Sequence, residues 1–178
     1  MRIAVYPGAF DPITLGHLDI LRRSCRLFDK VIVAVVQDPP KQPLFSVRER
    51  VELVQAATKD LAQVEVTTFR GLLVEFASSQ GACAIIRGLR AVSDFEQEFQ
   101  ISVMNKKLAG EIETVFLMAA TEYSFLSSRV VRQVAAVGGC VRGLVPPEVE
   151  EALEAKYGRP PQLQQRQSFG LARRGTPA

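Results

Sequence analysis

Short apolar runs and amphipathic stretches alternate along this chain. Ile3-Ala4-Val5 is a brief apolar run that reads as a first strand. Leu18, Leu21, Cys25 and Phe28 then recur at three- and four-residue spacing, the buried stripe of a helix. Val31 to Val36 is an unbroken apolar run rich in β-branched residues, the pattern of a central parallel strand covered on both faces. After a proline-rich loop, Asp38-Pro39-Pro40-Lys41-Gln42-Pro43, Ser46 and Glu49 have the spacing of a capping box. Val47, Val51 and Val54 give the inner face of the helix they open. Val64 to Val66 predicts a third strand, Leu72 to Ser79 a short helix stopped ahead of Gly81, and Ala84 to Ile86 a fourth strand. Ser93 and Glu96 repeat the capping-box spacing before a longer helix, whose Phe95, Phe99 and Val103 stand four apart and read as core. Val115 to Met118 predicts a fifth strand. A helix follows from about Ser127 to Val137, ended by Gly138-Gly139, and Pro147 opens a last amphipathic helix to about Tyr157.

Five strand–helix units of this length imply an α/β fold. We expect one domain over residues 1–158, built on a Rossmann-like, doubly wound, five-stranded parallel sheet with a C-terminal helix. Such sheets bind ligands beyond the carboxyl ends of their strands, where the strand order switches direction. The polar clusters follow strands in that way. Gly8 to His17 comes after the first, Lys41 after the second, Arg87 to Arg90 after the fourth and Thr121 to Arg129 after the fifth. All are expected to converge on one edge.

Composition narrows the partners. Hydrophobic content of 47% and charged content of 23% are those of an ordinary globular chain. No apolar run approaches the roughly 20 residues that cross a bilayer, and no apolar stretch of signal type follows Arg2. The expected setting is cytoplasmic, away from membranes. Net charge is +3, but residues 159–178 hold Arg159, Arg166, Arg173 and Arg174 and no acid. The remainder is near neutral, which argues against a face built for nucleic acid, and the Pro-, Gln- and Gly-rich end reads as a disordered basic tail. Cys25, Cys83 and Cys140 are widely spaced and the chain has one histidine, so no zinc set is available. The cysteines read as small buried thiols.

That single histidine lies in the most informative stretch, Pro7-Gly8-Ala9-Phe10-Asp11-Pro12-Ile13-Thr14-Leu15-Gly16-His17. Gly8 belongs to a tight turn where a glycine allows unusual backbone angles and close approach of a phosphate. Gly16 and His17 stand at a helix N-terminus, whose free amides and dipole favour an anion. The stretch is neither a Walker A loop nor a G-x-G-x-x-G fingerprint. Arg87 and Arg90 flank Gly88 and Leu89 after an apolar strand, well placed to grip phosphates. Ser124, Ser127 and Ser128 offer hydroxyls and amides at the next helix start, where Ser127 also suits an N-cap. No nucleophile–base pair is available, because His17 is the sole imidazole. Such a site works by positioning and charge stabilisation, which suits an acceptor that is already an anion.

Gly8-x-Phe10-Asp11-Pro12-x-Thr14-x-Gly16-His17 resembles the signature of the nucleotidyltransferases with a T/H-x-G-H motif. Arg87-Gly88-Leu89-Arg90-Ala91-x-Ser93-Asp94-Phe95-Glu96-x-Glu98 and Glu122-Tyr123-Ser124-Phe125-Leu126-Ser127-Ser128 narrow the resemblance to the bacterial phosphopantetheine adenylyltransferase family. It runs from Arg2 to about Tyr157. It implies adenylyl transfer from ATP to 4′-phosphopantetheine, giving dephospho-CoA and pyrophosphate. It makes His17, Lys41 and Arg90 the catalytic groups, with His17 stabilising the α-phosphoryl transition state. By the same resemblance, Ala9, Phe10, His17, Gly88, Leu89, Arg90, Glu98 and the stretch Tyr123, Ser124, Phe125, Leu126, Ser127, Ser128 and Arg129 bind ATP. Ala9, Lys41, Leu73 and Arg87 bind the acceptor. Mg²⁺ is implied on the phosphates with no protein ligands, as are a homohexamer and feedback inhibition by coenzyme A. Two residues depart from the family pattern. Ala9 replaces a usual Ser or Thr and removes a hydroxyl, and Arg129 replaces a frequent third serine and adds a cation. The first motif alone also allows a sister enzyme using nicotinamide mononucleotide or glycerol 3-phosphate, and Ala9 allows a non-catalytic binder of ATP or coenzyme A.

Overall fold

The computed structural model describes residues 1–39, 42–90 and 92–158, with backbone only at 92–94. Lys41 and the predicted tail, 159–178, lie outside the described residues. The strands are β1 (Ile3–Gly8), β2 (Lys30–Val36), β3 (Val64–Phe69), β4 (Ala84–Leu89) and β5 (Glu113–Met118). The helices are α1 (Leu15–Ser24), α2 (Val47–Ala57), α3 (Leu73–Ser79), α4 (Val92–Leu108), α5 (Ser128–Ala136) and α6 (Pro147–Tyr157). A 3-10 turn, Thr121–Tyr123, links β5 to α5. The sheet is five-stranded and parallel in the order β3-β2-β1-β4-β5, as the doubly wound reading expects.

The order reverses between β1 and β4, and there the pairing is short. β1 pairs with β2 from Ile3 to Gly8, but with β4 only at Ala4 and Val5. Beyond that point β1 and β4 have no further partners in each other. A crevice therefore opens between Tyr6–Gly8 and Arg87–Leu89, at the carboxyl ends of both strands.

Alternation along the strands splits the core in two. Ala4, Tyr6, Val31, Val33, Val35 and Ile86 face a layer that includes Leu18, Leu21, Val54, Val131, Val149 and Leu153. Val5, Ile32, Ala34 and Ile85 face Val74 and Ala77 of α3, with Ala109 and Ile112. Val31 to Val35 are all at most 1% exposed, which is why that run carries no polar position. The Ser46–Glu49 capping box is present. Glu49 also meets Lys156 of α6 at 2.8 Å, which, with the Ser46 bonds, draws its carboxyl down to about 2.

Several local expectations are corrected. β1 runs on through Pro7 and Gly8, and β4 through Arg87, Gly88 and Leu89, so these residues are strand ends rather than loops. The buried positions of α2 are Arg50, Val54 and Ala57, while Val47 and Val51 are half-buried. Ser93 lies inside α4, which starts at Val92. Phe95, Phe99 and Val103 are 44%, 51% and 54% exposed, so the apolar spacing of α4 marks an outward face and not the core of this chain. Cys83 and Cys140 are exposed and Cys25 half-buried, all as free thiols.

Candidate active site

A cavity of about 350 Å³ fills the crevice, a volume suited to a small ligand. Its floor is Tyr6, Pro7 and Gly8 of β1 with Arg87 and Gly88 of β4. Thr14, Gly16, His17 and Ile20 bring in α1. Tyr123, Leu126, Ser127, Ser128 and Arg129 close the far side.

His17 is the third residue of α1, and its ring turns back on the helix start. The Thr14 N–H donates to His17 Nδ1 at 3.0 Å, and Thr14 Oγ1 accepts from the His17 N–H at 3.4 Å. This is a capping box with histidine in the place usually held by Glu or Gln. The consequence is chemical. Since Nδ1 is an acceptor, the ring proton resides on Nε2, and the other edge of the imidazole is a donor. Burial, reinforced by the nearby Arg90 charge, lowers the His17 pKa from 6.5 to about 4. The ring is therefore a neutral donor at physiological pH. Phe10 stands edge-on to it, with centroids 5.2 Å apart, and edge-on to Tyr6 at 5.5 Å. Burial pushes the Tyr6 phenol above its ordinary value, against the Arg87 charge, so it too stays protonated.

The turn between β1 and α1 departs from the expectation for Gly8. Phe10, not Gly8, holds the left-handed backbone, with φ of 47°. Gly8 is needed for space, because a Cβ there would lie 2.9 Å from the Phe10 ring. Beneath the turn, the buried Asp11 carboxylate accepts from the N–H groups of Leu44 and Phe45, each at 2.9 Å. It also pairs with Arg132 of α5 at 2.7 Å. The Ser128 hydroxyl donates to the Pro12 carbonyl at 2.8 Å, fastening the start of α5 to the same turn. Asp19 of α1 accepts from the Ala120 N–H at 3.2 Å and sets the loop after β5 against α1.

Residues 5–134 match the model of the cytidylyltransferase-like family. A Moorella thermoacetica protein named phosphopantetheine adenylyltransferase is 63% identical over 158 residues, which is 89% of this chain and 99% of that protein. This chain belongs to the phosphopantetheine adenylyltransferase family. A second member, from Caldanaerobacter subterraneus subsp. tengcongensis, is 54% identical over 88% of this chain and 98% of its own length. A Vibrio parahaemolyticus crystal structure, of a proposed nicotinate-nucleotide adenylyltransferase, superposes with a TM-score of 0.65 at 20% identity. It covers 86% of this chain and 99% of that one, and shows the shared fold.

Of the residues expected from phosphopantetheine adenylyltransferase motifs, Phe10, His17, Arg87, Gly88, Arg90, Tyr123, Leu126, Ser127, Ser128 and Arg129 line the cavity. Others stand back from it. Glu98 is held against Arg87, accepting from its Nε at 2.6 Å and from Nη2. Leu89 is buried at the end of β4, and Leu73 packs against the α3 side of the core. Phe125 is 63% exposed, and the Ser124 hydroxyl donates to Thr121 O. Ser127 caps α5 by accepting from the Val130 N–H at 3.2 Å. Ala9 offers no side-chain donor, and its carbonyl accepts from Arg50 at 2.8 Å. The supports missed from sequence are Asp11, Thr14, Arg50 and Arg132. Thr14 and Asp11 sat inside the motif. Thr14 meets His17 three residues on, the spacing of a capping box, whereas the partners of Asp11 lie 33 to 121 residues away and have no local signal.

Proposed function

We propose that this protein transfers the adenylyl group of ATP to 4′-phosphopantetheine, giving dephospho-CoA and pyrophosphate, a step of coenzyme A biosynthesis. The observation that carries the reading is the orientation of His17. Its Nδ1 is occupied by Thr14, so a neutral Nε2–H donor stands in a cavity walled by guanidinium groups. An oxygen of the acceptor phosphate attacks the α-phosphorus. The bond from that phosphorus to the bridging oxygen breaks, and pyrophosphate leaves with the electron pair. No proton must be removed, because the nucleophile is already an anion. His17 donates to a non-bridging α-oxygen as its charge grows. Arg90, Arg129 and the free amides at the start of α5 face the polyphosphate. Arg87 and Lys41 hold the acceptor phosphate, with Leu73 beside the pantetheine arm. For Arg87 that contact competes with Glu98.

Among the described residues no three acidic, histidine or cysteine side chains gather as a metal cage. The substrate is MgATP, with the ion riding on phosphate oxygens. We propose a homohexamer, supported by the outward apolar face of α4, together with feedback inhibition by coenzyme A at this site and a cytoplasmic setting. Among the described residues no helix is long and apolar enough to cross a membrane.

The test is pyrophosphate release from MgATP with and without 4′-phosphopantetheine, alongside nicotinamide mononucleotide and, with CTP, glycerol 3-phosphate. Release dependent on phosphopantetheine alone is expected. Release with another acceptor, or none with any, overturns the assignment. Light scattering on the intact chain tests the hexamer.

A further inference from the structure

Arg50 has no exposed surface, although it is charged and stands on the buried stripe of α2. Among the described residues its guanidinium makes no hydrogen bond to a carboxylate. It donates through Nη1 to Ala9 O and Val36 O, both at 2.8 Å. It donates through Nη2 to Gln37 O and through Nε to Phe45 O, both at 3.2 Å. Burial lowers its pKa, and the Asp11 charge opposes that. One side chain thus ties the turn after β1 to both flanks of the loop between β2 and α2. An apolar residue would fill the stripe, but it would leave four carbonyls without these donors.

The contact with Ala9 has a directional consequence. Across a trans peptide the C=O and N–H point in opposite directions. The cis bond at Asp11–Pro12 is the one found among the described residues, so the Ala9–Phe10 bond is trans. With Ala9 O drawn down to Arg50, the Phe10 N–H points away from Arg50. Phe10 lines the cavity, and its N–H has no acceptor among the described residues. We propose that Arg50 is a positioning residue for adenylyl transfer, aiming the Phe10 N–H into the cavity as an anion donor. Ala9 supplies no hydroxyl, so recognition at this turn rests on backbone donors. Arg50, Asp11 and Arg132 together also leave one net positive charge beneath the turn, favouring an anion above it.

This inference rests on the adenylyl-transfer reading. In Arg50→Lys one nitrogen replaces a fork that spans three segments. We expect kcat to fall at least tenfold, with the KM for ATP within threefold, measured well below the melting midpoint on protein shown folded by near-UV circular dichroism. A folded variant with kcat within twofold of wild type overturns the proposal, since a purely structural role lowers the midpoint and leaves kcat alone. Should the variant not fold, ¹⁵N-labelled wild-type protein gives the answer. Pyrophosphate should shift the Phe10 amide resonance, and no shift overturns the proposal. Wild-type turnover is the control: its absence counts against adenylyl transfer, while the Phe10 shift still decides whether this amide is an anion donor.

Discussion

His17 can be followed without ambiguity because it is the only histidine in the chain. The perturbation is pH. A ring with a midpoint near 4 is about 97% neutral at pH 5.5, whereas one at 6.5 is about 10% neutral. Protonation at Nδ1 also breaks the bond from the Thr14 N–H, since both atoms then carry hydrogen, and leaves Thr14 Oγ1, 3.0 Å away, as the acceptor. The sign for stability follows from linkage. Between pH 6.5 and 4 the unfolded chain takes up a proton at this residue and the folded chain does not. Stability therefore decreases as pH falls through that window, and no such loss operates above 6.5. The gap corresponds to about 3 kcal/mol, an upper bound because the ring borders an open cavity. Long-range ¹H–¹⁵N NMR on the intact chain should show the Nε2–H tautomer at pH 7 and a titration midpoint near 4. Chemical denaturation of wild type and His17→Gln at pH 7 and 4.5 should show the larger loss in wild type. A midpoint between 6 and 7, or an Nδ1–H tautomer, refutes the reasoning.

Other consequences can be measured independently. His17→Ala should lower kcat by about 10²–10³, the effect of removing one preorganised donor, while calorimetric ATP affinity stays within about threefold. Arg132→Met leaves the buried Asp11 carboxylate with two backbone donors and without its ion-pair partner, so stability should drop by about 3 kcal/mol in urea titration. If the acceptor phosphate is held at the turn after β1, Ala9→Ser adds a hydroxyl beside it. A hydrogen bond to a charged group predicts an acceptor KM about tenfold lower.

Local signals were enough for the elements and for much of the cavity wall. The β-branched run of β2, the Ser46–Glu49 box and Pro147 at the start of α6 each report on neighbours within a few residues, so they survive folding unchanged. Alternation of strands and helices then implied the parallel sheet, and the sheet implied the edge at which Phe10, His17, Arg87 and Arg90 meet. Tertiary structure decided the rest. Periodicity shows that a helix has an apolar face but not what covers it, so α4 read as core and proved outward-facing. Arg50 carries no signal of its role in the sequence, because the four carbonyls that receive it come together only when the ends of β1 and β2 and the start of α2 are assembled. The splaying of β1 from β4 and the burial that keeps His17 neutral likewise depend on groups that are not neighbours until the chain closes. Residue identities and spacing set which groups this chain possesses, and three-dimensional packing set which of them keep a proton, a charge or an open hydrogen-bond direction.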